Sequence, residues 1–276
     1  MITGATRAAG VIGDPVRHSL SPRLHNAAYR ALGLDWVYVA FEVPDGATKH
    51  ALDAMRALGL AGLSVTMPHK TAAAAACDEL TADAEILHSV NTVTLAADDR
   101  LIGDSTDGEG FLRSLLDAGH DPAGATVLVL GAGGAARAVA LALARTGARV
   151  IVCARRLEAA DAAARLVRGD TAPWSDRAAV AGAAAVVVNA TPVGMGGDDL
   201  PLPLDALHEG HLVVDLVYHP LETALLQGAR ARGATVIDGL GMLVHQAALQ
   251  VERWTGRAPP VPALRAAAVR ALGTRS

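Results

Sequence analysis

Short apolar runs alternate with longer segments of helical spacing along the chain. In the first hundred residues, apolar runs at 8–12, 36–42 and 63–66 are separated by segments in which apolar residues recur every three or four positions. The runs predict strands, and the intervening segments predict helices. This alternation is typical of α/β folds, in which helices cover a mostly parallel sheet. The first third of the chain is therefore predicted to be an open α/β domain.

The clearest strand–helix–strand unit lies near the middle of the chain. Residues 127–130 form an apolar run that leads into a glycine-rich turn, then a helical segment to residue 146 and a second run at 149–153. The turn has the spacing G-x-G-x-x-A from Gly131 to Ala136. Such a turn lets the backbone approach a pyrophosphate at a helix N-terminus. The unit predicts a Rossmann-type dinucleotide-binding domain, although glycines also mark ordinary tight turns.

The residues after the second strand of this unit indicate which dinucleotide is bound. NAD-binding proteins usually place an acidic residue there to hold the ribose 2′-hydroxyl. This chain has Arg155 and Arg156 instead. Two guanidinium groups suit a 2′-phosphate, so we expect NADP rather than NAD. The alternative is that both arginines only lie in solvent at the end of a strand.

The last part of the chain continues the same pattern. Apolar runs at 185–189, 212–217 and 235–237 extend the predicted parallel sheet to about six strands. Two helical segments, at 238–254 and 261–272, follow them.

Composition and charge exclude several classes of protein. Hydrophobic residues make up 51% of the 276 positions but aromatic residues only 3%, which predicts an interior of alanine, valine and leucine. The net charge of -4 argues against a nucleic-acid partner. Apolar stretches fall short of the roughly 18–20 residues of a membrane span, and we expect no export signal. Two distant cysteines favour a cytoplasmic protein without disulfides.

His208 and His211 are the histidines that most resemble a metal site. They lack the H-E-x-x-H pattern of a helical zinc site, and they fall in a predicted turn. We interpret them as part of a solvated loop and expect no metal.

Two serines precede the first predicted helix. Ser21 followed by Pro22 is typical of an N-cap and a first helical residue, whereas Ser19 has no such role. Two hydroxyl groups beside a helix N-terminus could also bind a small carboxylate. These residues alone leave capping and carboxylate binding open.

Lys70 and Asp107 also follow strand-like runs. Lys70 lies beyond a strand end, where open α/β sheets bind their ligands, although a surface lysine on an alanine-rich helix would be unremarkable. Asp107 could cap the next helix or pair with a cation.

Taken together, the motifs resemble those of the shikimate dehydrogenase family over nearly the whole chain. The matching blocks are residues 13–26 with S-x-S-P and H-N, 62–70, 89–92, 106–108, 131–135, the segment around Arg155, 189–195, 215–218 and 238–247. The resemblance implies a reversible, NADP-linked reduction of 3-dehydroshikimate to shikimate, on the route to chorismate and the aromatic amino acids. It also implies a substrate domain at 1–107, completed by C-terminal helices at 240–276 that return to it, and a Rossmann NADP domain at 108–239.

The resemblance assigns roles to individual residues. Family substrate contacts match Ser19, Ser21, Thr66, Asn91, Asp107, Tyr218 and Gln246, with both serines on the substrate carboxylate. Family cofactor contacts match Gly131, Ala132, Gly133, Gly134, Ala135, Arg155, Arg156, Leu216 and Gly239. Lys70 matches the catalytic lysine. In that role its ammonium group would donate a proton to the developing alkoxide, with Asp107 as its partner.

Four positions depart from the family pattern. Ser64 and Ser105 stand where the family usually has Asn. Ala154 and Arg156 replace the Asn and the Thr of the usual Asn-Arg-Thr. The shorter Ser64 side chain leaves room for a different ring substituent, so quinate or an aminated shikimate analogue stays open as the substrate.

Two other classes of function also stay open. One is a non-catalytic NADP(H)-binding sensor, against which the retention of both Lys70 and Asp107 argues. The other is a folate-linked dehydrogenase, against which the S-x-S-P segment argues. The expected partner is a small-molecule substrate, and the oligomeric state, a homodimer included, is left open.

Overall fold

A computed structural model describes residues 2–273 of the chain. Its strands are β1 (Arg7–Gly13), β2 (Trp36–Glu42), β3 (Gly62–Val65), β4 (Glu79–Leu80), β5 (Thr92–Leu95), β6 (Leu101–Asp104), β7 (Thr126–Leu130), β8 (Arg149–Cys153), β9 (Asp170–Ala172), β10 (Val186–Asn189), β11 (Leu212–Asp215) and β12 (Thr235–Ile237).

The helices are α1 (Ser21–Ala31), α2 (Thr48–Leu58), α3 (Lys70–Ala76), α4 (Ala82–Leu87), α5 (Asp107–Asp117), α6 (Gly134–Arg145), α7 (Leu157–Val167), α8 (Arg177–Ala183), α9 (Ala224–Arg230), α10 (Leu240–Thr255) and α11 (Val261–Gly273). Short 3₁₀ turns lie at Trp174–Asp176 and Leu204–Ala206. None of the described helices combines the length and the apolar character needed to cross a membrane.

The chain divides into two compact units. The first unit holds the residues up to Thr106 together with those from Val244 onward, and the second unit holds Asp107–Leu243. Helix α5 therefore belongs to the second unit, and most of α10 belongs to the first.

The sheet of the first unit is mixed. Its strand order is β2-β1-β3-β5-β6-β4. Strand β1 runs parallel to β2 and β3, whereas β5 runs antiparallel to both β3 and β6. The carboxyl ends of β1, β3 and β6 and the beginning of β5 consequently lie at one edge of this sheet.

The sheet of the second unit is parallel throughout, with the order β12-β11-β10-β7-β8-β9. Numbered from β7, this is the doubly wound order 3-2-1-4-5-6 of a Rossmann fold. Val127 and Val129 of β7 face one apolar cluster, whereas Leu128 and Leu130 face another. Burial on both faces explains why the sequence shows continuous apolar runs here.

Helix α10 returns to the first sheet through Trp254. A Cβ atom at Gly62 would lie 2.2 Å from the Trp254 ring, so only glycine allows this contact. The Trp254 Nε1–H also donates to the Val93 carbonyl oxygen at 3.2 Å. The predicted return of the C-terminal helices to the first domain is confirmed.

The local pattern does not predict β4, β9 or α8. Strand β9 has three residues, Asp170–Ala172, and only its alanine is buried, so it shows no apolar run. Helix α8 begins at Arg177 and otherwise lies in an alanine-rich stretch that continues into β10. The helical spacing of its apolar residues therefore cannot be told apart from the apolar run of the strand that follows.

Candidate active site

One edge of the first sheet collects the predicted substrate contacts of the first unit, and we call it the polar edge. Strands β1 and β3 end there together, with Ile12 opposite Val65. Strand β5 begins there, because Thr92 lies opposite Ser64, and β6 ends there, because Asp104 lies opposite Thr92. The adjoining loops bring Ser19, Ser21, Thr66, Lys70 and Asn91 to this edge.

The two serines of the polar edge differ from the prediction. Helix α1 begins at Ser21 itself, Leu20 occupies the N-cap position, and no described side chain caps the helix. Ser19 Oγ instead accepts a hydrogen bond from the Ser21 backbone N–H at 3.2 Å. The interpretation of Ser21 as an N-cap is therefore wrong. Its side chain is 9% exposed and faces the Tyr38 phenol.

Thr66 directly follows β3 and lies against the end of β1. A Cβ atom at Gly13 would lie 2.5 Å from Thr66 Cγ2, so glycine allows the two strand ends to approach closely. The Asp14 backbone N–H donates to the Met67 carbonyl oxygen at 3.0 Å and ties the two loops together.

Lys70 is the first residue of α3 and is partly exposed. Its neighbour His69 is buried, with Nε2 2.8 Å from the Val43 carbonyl oxygen and Nδ1 2.8 Å from Thr48 Oγ1. Because a carbonyl oxygen only accepts, Nε2 donates to Val43, and Nδ1 accepts from the Thr48 hydroxyl. The Lys70 carbonyl oxygen accepts from the Val90 N–H at 3.0 Å. These bonds fix the backbone at Lys70, and no sequence motif identified His69 or Thr48.

Asn91 is buried and has a fixed amide orientation. Its Nδ2 donates to Thr106 Oγ1 at 3.0 Å, and its Oδ1 accepts from the Thr106 N–H at 2.9 Å. The Thr92 hydroxyl donates to the same Oδ1 at 2.7 Å. Thr106 Oγ1 lies 3.3 Å from the Gln246 carbonyl oxygen on α10. The structure thus brings Asn91 and Gln246, two predicted substrate contacts, into one polar cluster.

Asp107 lies in the second unit as the first residue of α5, and it is 7% exposed. A carboxylate in the first turn of a helix interacts favourably with the helix dipole. Thr106, the residue before it, directs its hydroxyl to Asn91 and Gln246 rather than to the helix.

The glycine-rich turn follows β7 in the second unit. Gly131 has a φ of +114°, and a Cβ atom there would lie 2.8 Å from the Ala190 carbonyl oxygen. Glycine is needed on both counts. A Cβ atom at Gly133 would meet no described atom within 4 Å, so the space beside it is open. No described side chain caps α6, which begins at Gly134, so its first N–H groups are available to a phosphate.

Three arginines follow or flank this turn. Arg155 and Arg156 come after β8, are exposed, and have no side-chain partner among the described residues. Arg137 lies in the first turn of α6, and within residues 2–273 its buried Nε has no hydrogen-bond partner. Partial burial lowers the pKa of Arg137. A phosphorylated dinucleotide fits this combination of an open backbone, a helix N-terminus and guanidinium groups. The sequence pattern did not single out Arg137.

A buried carboxylate holds the loops after β10 and β11. Asp215 accepts hydrogen bonds from Asn189 Nδ2 at 2.9 Å, from Thr223 Oγ1 at 2.7 Å and from the Val217 N–H at 3.0 Å. Burial raises the pKa of Asp215, although its hydrogen bonds oppose that shift.

The loop after β11 carries two further predicted contacts. Leu216 is a neighbour of Gly239, because a Cβ atom at Gly239 would lie 2.4 Å from the Leu216 carbonyl oxygen. Tyr218 lies two residues further along and is partly buried. The second unit therefore brings Leu216 and Gly239 together at the carboxyl ends of β11 and β12.

The prediction of a solvated loop before β11 is confirmed for His208, which is exposed, and wrong for His211. His211 is 2% exposed, its Nδ1 accepts from the His208 N–H at 2.9 Å, and its Nε2 donates to the Ala181 carbonyl oxygen at 2.9 Å. His211 is thus a structural side chain. Across residues 2–273, no group of three or more His, Cys, Asp or Glu could hold a metal ion. Cys77 and Cys153 are free thiols.

The fold and the site residues define a class of protein. A Rossmann unit with a glycine turn and an α/β unit with hydroxyl, amide and ammonium groups at one sheet edge are the parts of a nicotinamide-nucleotide-dependent oxidoreductase. Family models agree with this class. The shikimate dehydrogenase substrate binding domain matches residues 11–93, a coenzyme F420-dependent NADP oxidoreductase domain matches 126–219, and the shikimate 5′-dehydrogenase C-terminal domain matches 239–269.

Known relatives identify the family. A shikimate dehydrogenase (NADP(+)) from Rhodospirillum rubrum is 48% identical over 97% of this chain and 98% of its own length. The chain belongs to the shikimate dehydrogenase family, as its motifs predict.

Solved structures share the fold over the whole chain. Shikimate 5-dehydrogenase from Thermus thermophilus, in complex with NADP(H) and shikimate, has a TM-score of 0.91 at 40% identity, covering 96% of this chain and 100% of that one. Quinate dehydrogenase from Corynebacterium glutamicum, in complex with NAD, has a TM-score of 0.90 at 33% identity, covering 96% and 99%. The predicted two-domain α/β fold is confirmed.

Proposed function

We propose that this protein is an NADP-dependent shikimate dehydrogenase that reversibly reduces 3-dehydroshikimate to shikimate. The observation that carries the proposal is the polar edge in a chain 48% identical to a shikimate dehydrogenase (NADP(+)). Its hydroxyl, amide and ammonium groups suit a rigid polyol that bears a carboxylate. The enzyme would act in the biosynthesis of chorismate and aromatic amino acids. A cytoplasmic location and a homodimer stay predictions.

Lys70 is the proposed proton donor. When NADPH is bound, the hydride for the carbonyl carbon comes from its nicotinamide. The Lys70 ammonium group then stabilises the developing alkoxide and gives it a proton, and the neutral amine accepts that proton in the reverse reaction. Asp107 is proposed to orient the amine.

Lysine use in this chain supports that role. The sequence holds 24 Lys and Arg residues, of which only Lys49 and Lys70 are lysines, so 22 are arginines. Lys49 is an exposed helix residue paired with Asp53 four positions on. A guanidinium group does not release its proton in proteins, whereas an ammonium group can. Apart from the exposed Lys49, the chain uses arginine for its basic residues and has a lysine at the position where the proposed chemistry requires proton transfer.

The remaining site residues are proposed to bind. Ser19 and Ser21 take the substrate carboxylate. Thr66, Asn91, Tyr218 and Gln246 take its ring substituents. The turn Gly131–Ala135, with Leu216 and Gly239, takes the cofactor, and Arg155 and Arg156 take its 2′-phosphate.

A four-way assay tests the function. Purified protein is incubated with shikimate or quinate, each with NADP or NAD, and nicotinamide reduction is followed by absorbance. We expect the highest kcat/KM with shikimate and NADP. A preference for quinate would contradict the substrate, and equal efficiency with NAD would contradict the cofactor. Tight NADP binding without turnover of either substrate would favour the sensor.

A further inference from the structure

A second glutamine lies one helical turn from Gln246 on α10. Positions 246 and 250 are four apart, so both side chains fall on one face of the helix. Gln250 is 1% exposed, and its amide contacts residues from three other parts of the first unit. The motif blocks named above end at residue 247 and do not reach it.

The amide oxygen of Gln250 accepts on one side. The Ser64 hydroxyl donates to Oε1 at 2.7 Å, and the Tyr38 hydroxyl in turn donates to Ser64 Oγ at 2.5 Å. Burial keeps the pKa of Tyr38 well above its usual range, so the phenol remains a donor. The Ser21 hydroxyl faces this phenol. Gln250 is thus linked through Ser64 to the Tyr38 hydroxyl, which the Ser21 side chain faces.

The amide nitrogen of Gln250 donates on the other side. Its Nε2 lies 3.2 Å from the Asn91 carbonyl oxygen and 3.0 Å from Thr92 Oγ1. The carbonyl oxygen of Asn91 can only accept, which fixes the orientation of the Gln250 amide. Because Thr92 Oγ1 accepts from Gln250, its own proton goes to Asn91 Oδ1 at 2.7 Å.

His25 completes the cluster. Its ring stacks on Tyr38 with centroids 4.0 Å apart, its Nδ1 lies 2.9 Å from the Ser21 carbonyl oxygen, and its Nε2 lies 3.1 Å from Gln250 Oε1. A neutral imidazole has one N–H and donates to one of these oxygens. The His25 ring thus lies directly between the Ser21 backbone and the Gln250 amide.

We propose that Gln250 is a positioning residue for the substrate, which sets the orientation of Ser21 through Ser64 and Tyr38 and that of Asn91 through Thr92. The inference rests on the proposed function, because it takes Ser21 and Asn91 as substrate contacts. Gln250 suits this task because its amide presents an acceptor and a donor to two different networks at once. An ionised carboxylate of the same size offers only acceptors, and an apolar side chain offers neither function.

The same network explains the departure at Ser64. Ser64 is 6% exposed, its proton goes to Gln250, and it accepts from Tyr38. Its hydroxyl is therefore engaged inside the protein and does not donate to the substrate. We expect the serine at this position to take part in orienting the substrate contacts rather than to contact the ring itself.

Two substitutions at Gln250 test the proposal. Gln250→Met keeps the length and removes both polar functions, and Gln250→Glu keeps the acceptor and removes the donor. Misplacing binding groups by a fraction of an ångström is expected to raise the KM for shikimate by about tenfold to a hundredfold in both variants. The KM for NADP should stay within about twofold, because the partners of Gln250 all lie in the first unit.

A neighbouring residue supplies the control. Thr255→Val, on the same helix, removes a hydroxyl that donates to the Val251 carbonyl oxygen at 2.7 Å and accepts from the Arg257 N–H at 3.2 Å, neither of which belongs to the network. It should lower the melting temperature and leave the KM for shikimate unchanged. If the Gln250 variants lose stability as Thr255→Val does, and keep the wild-type KM, Gln250 is only structural and the proposal is overturned.

Two further variants keep the test decisive. Should the Gln250 variants fail to fold, Ser64→Ala removes one oxygen from the same network, and an unchanged KM for shikimate would overturn the proposal. Asn91→Ala tests the proposed function separately. A wild-type KM in Asn91→Ala would show that the polar edge does not bind shikimate, whereas a raised KM there with unchanged Gln250 and Ser64 variants would reject the positioning role alone.

Discussion

The two candidate binding regions, one in each unit, are built in opposite ways. In the second unit, the nucleotide-binding turn is formed by consecutive residues and depends on backbone geometry, with a φ of +114° at Gly131 and open space beside Gly133. In the first unit, the polar edge depends on side chains that are distant in sequence. Gln250 bonds to Ser64 across 186 positions and to Asn91 across 159. A backbone site can be recognised in a local motif, whereas a side-chain network exists only once the sheet has formed.

This difference predicts unequal tolerance to substitution. A buried donor or acceptor that loses its partner costs about 1–3 kcal/mol, so single changes at the polar edge affect several neighbours. The N–H groups of the nucleotide turn survive most side-chain substitutions. The exposed arginines contribute mainly through their charge, and we expect their effects to be local.

The largest effect should come from Lys70. If Lys70 transfers the proton, Lys70→Ala lowers kcat by about a hundredfold to ten-thousandfold, the usual contribution of general acid–base catalysis. Shikimate binding should change far less, because hydroxyl and amide groups still hold the ring. Asp107→Asn should also slow turnover, and the double variant should be little slower than Lys70→Ala, since the pair acts as a unit. Steady-state kinetics on the three variants measure this.

Lys49→Ala is the matched control, because it removes the other lysine of the chain. Its ion pair with Asp53 is exposed, so turnover and stability should stay close to wild type. A Lys70→Ala enzyme near wild-type speed, or losses in turnover that simply add in the double variant, would reject the catalytic pair. If Asp107 only supports its helix, Asp107→Asn lowers the melting temperature and leaves turnover near normal.

The second prediction concerns stability in acid. As the pH falls, a buried group in the first unit should lower the free energy of unfolding, whereas one in the second unit should raise it. Burial lowers the pKa of His25 to about 4 from 6.5. Between these two pH values His25 is neutral in the folded protein but protonated in the unfolded chain. The stability from neutral His25 is present above pH 6.5 and is lost as the pH falls toward 4, by about 3 kcal/mol in total. Burial instead raises the pKa of Asp215, so its contribution to stability grows as the pH falls.

Urea unfolding between about pH 4 and 7 measures this dependence in the wild type and in His25→Phe. The variant keeps a ring against Tyr38 but cannot titrate. The slope of its free energy of unfolding against pH should therefore be smaller, by the equivalent of about one bound proton. Hydrogen exchange should show protection lost first in the first unit. Equal pH slopes for the two proteins would mean that His25 titrates alike in the folded and unfolded chain.

The strands were predictable wherever a continuous apolar run is bounded by turn residues. The runs at 36–42, 149–153 and 235–237 coincide with β2, β8 and β12. Strands β4 and β9 have two and three residues with exposed polar members, and they exist because a neighbouring strand pairs with them. No local pattern carries that information.

The candidate site was predictable to the extent that motifs define it. Motifs located Lys70, Asn91 and the glycine turn, and their roles stay predictions. They assigned no role to His69, although it lies inside the block 62–70, and they did not reach Gln250. Both side chains bond to residues that are distant in sequence. The prediction of an N-cap at Ser21 was wrong because the helix begins at Ser21 itself, whose own N–H donates to the Ser19 hydroxyl.

The third prediction tests the cofactor side. Arg155→Ala should raise the KM for NADP by about tenfold to a hundredfold, because a charge-assisted contact contributes about 1.5–3 kcal/mol. The KM for NAD and for shikimate should change little. Arg149→Ala is the control, since Arg149 lies at the opposite end of β8 and pairs with Asp170. An unchanged KM for NADP in Arg155→Ala would place the 2′-phosphate elsewhere.

The smallest effect separates the two serines of the polar edge. Ser19 accepts the Ser21 N–H at 3.2 Å, so Ser19→Ala should lower the free energy of unfolding by about 0.5–1.5 kcal/mol. Ser19 is only partly buried, and water can replace part of that bond, which favours the lower end. Ser21→Ala leaves the helix start intact and should act mainly on the KM for shikimate. Urea midpoints and shikimate kinetics of the two variants distinguish these roles. If Ser21 capped the helix instead, Ser21→Ala would be the less stable of the two proteins, and the order of the two urea midpoints would be reversed.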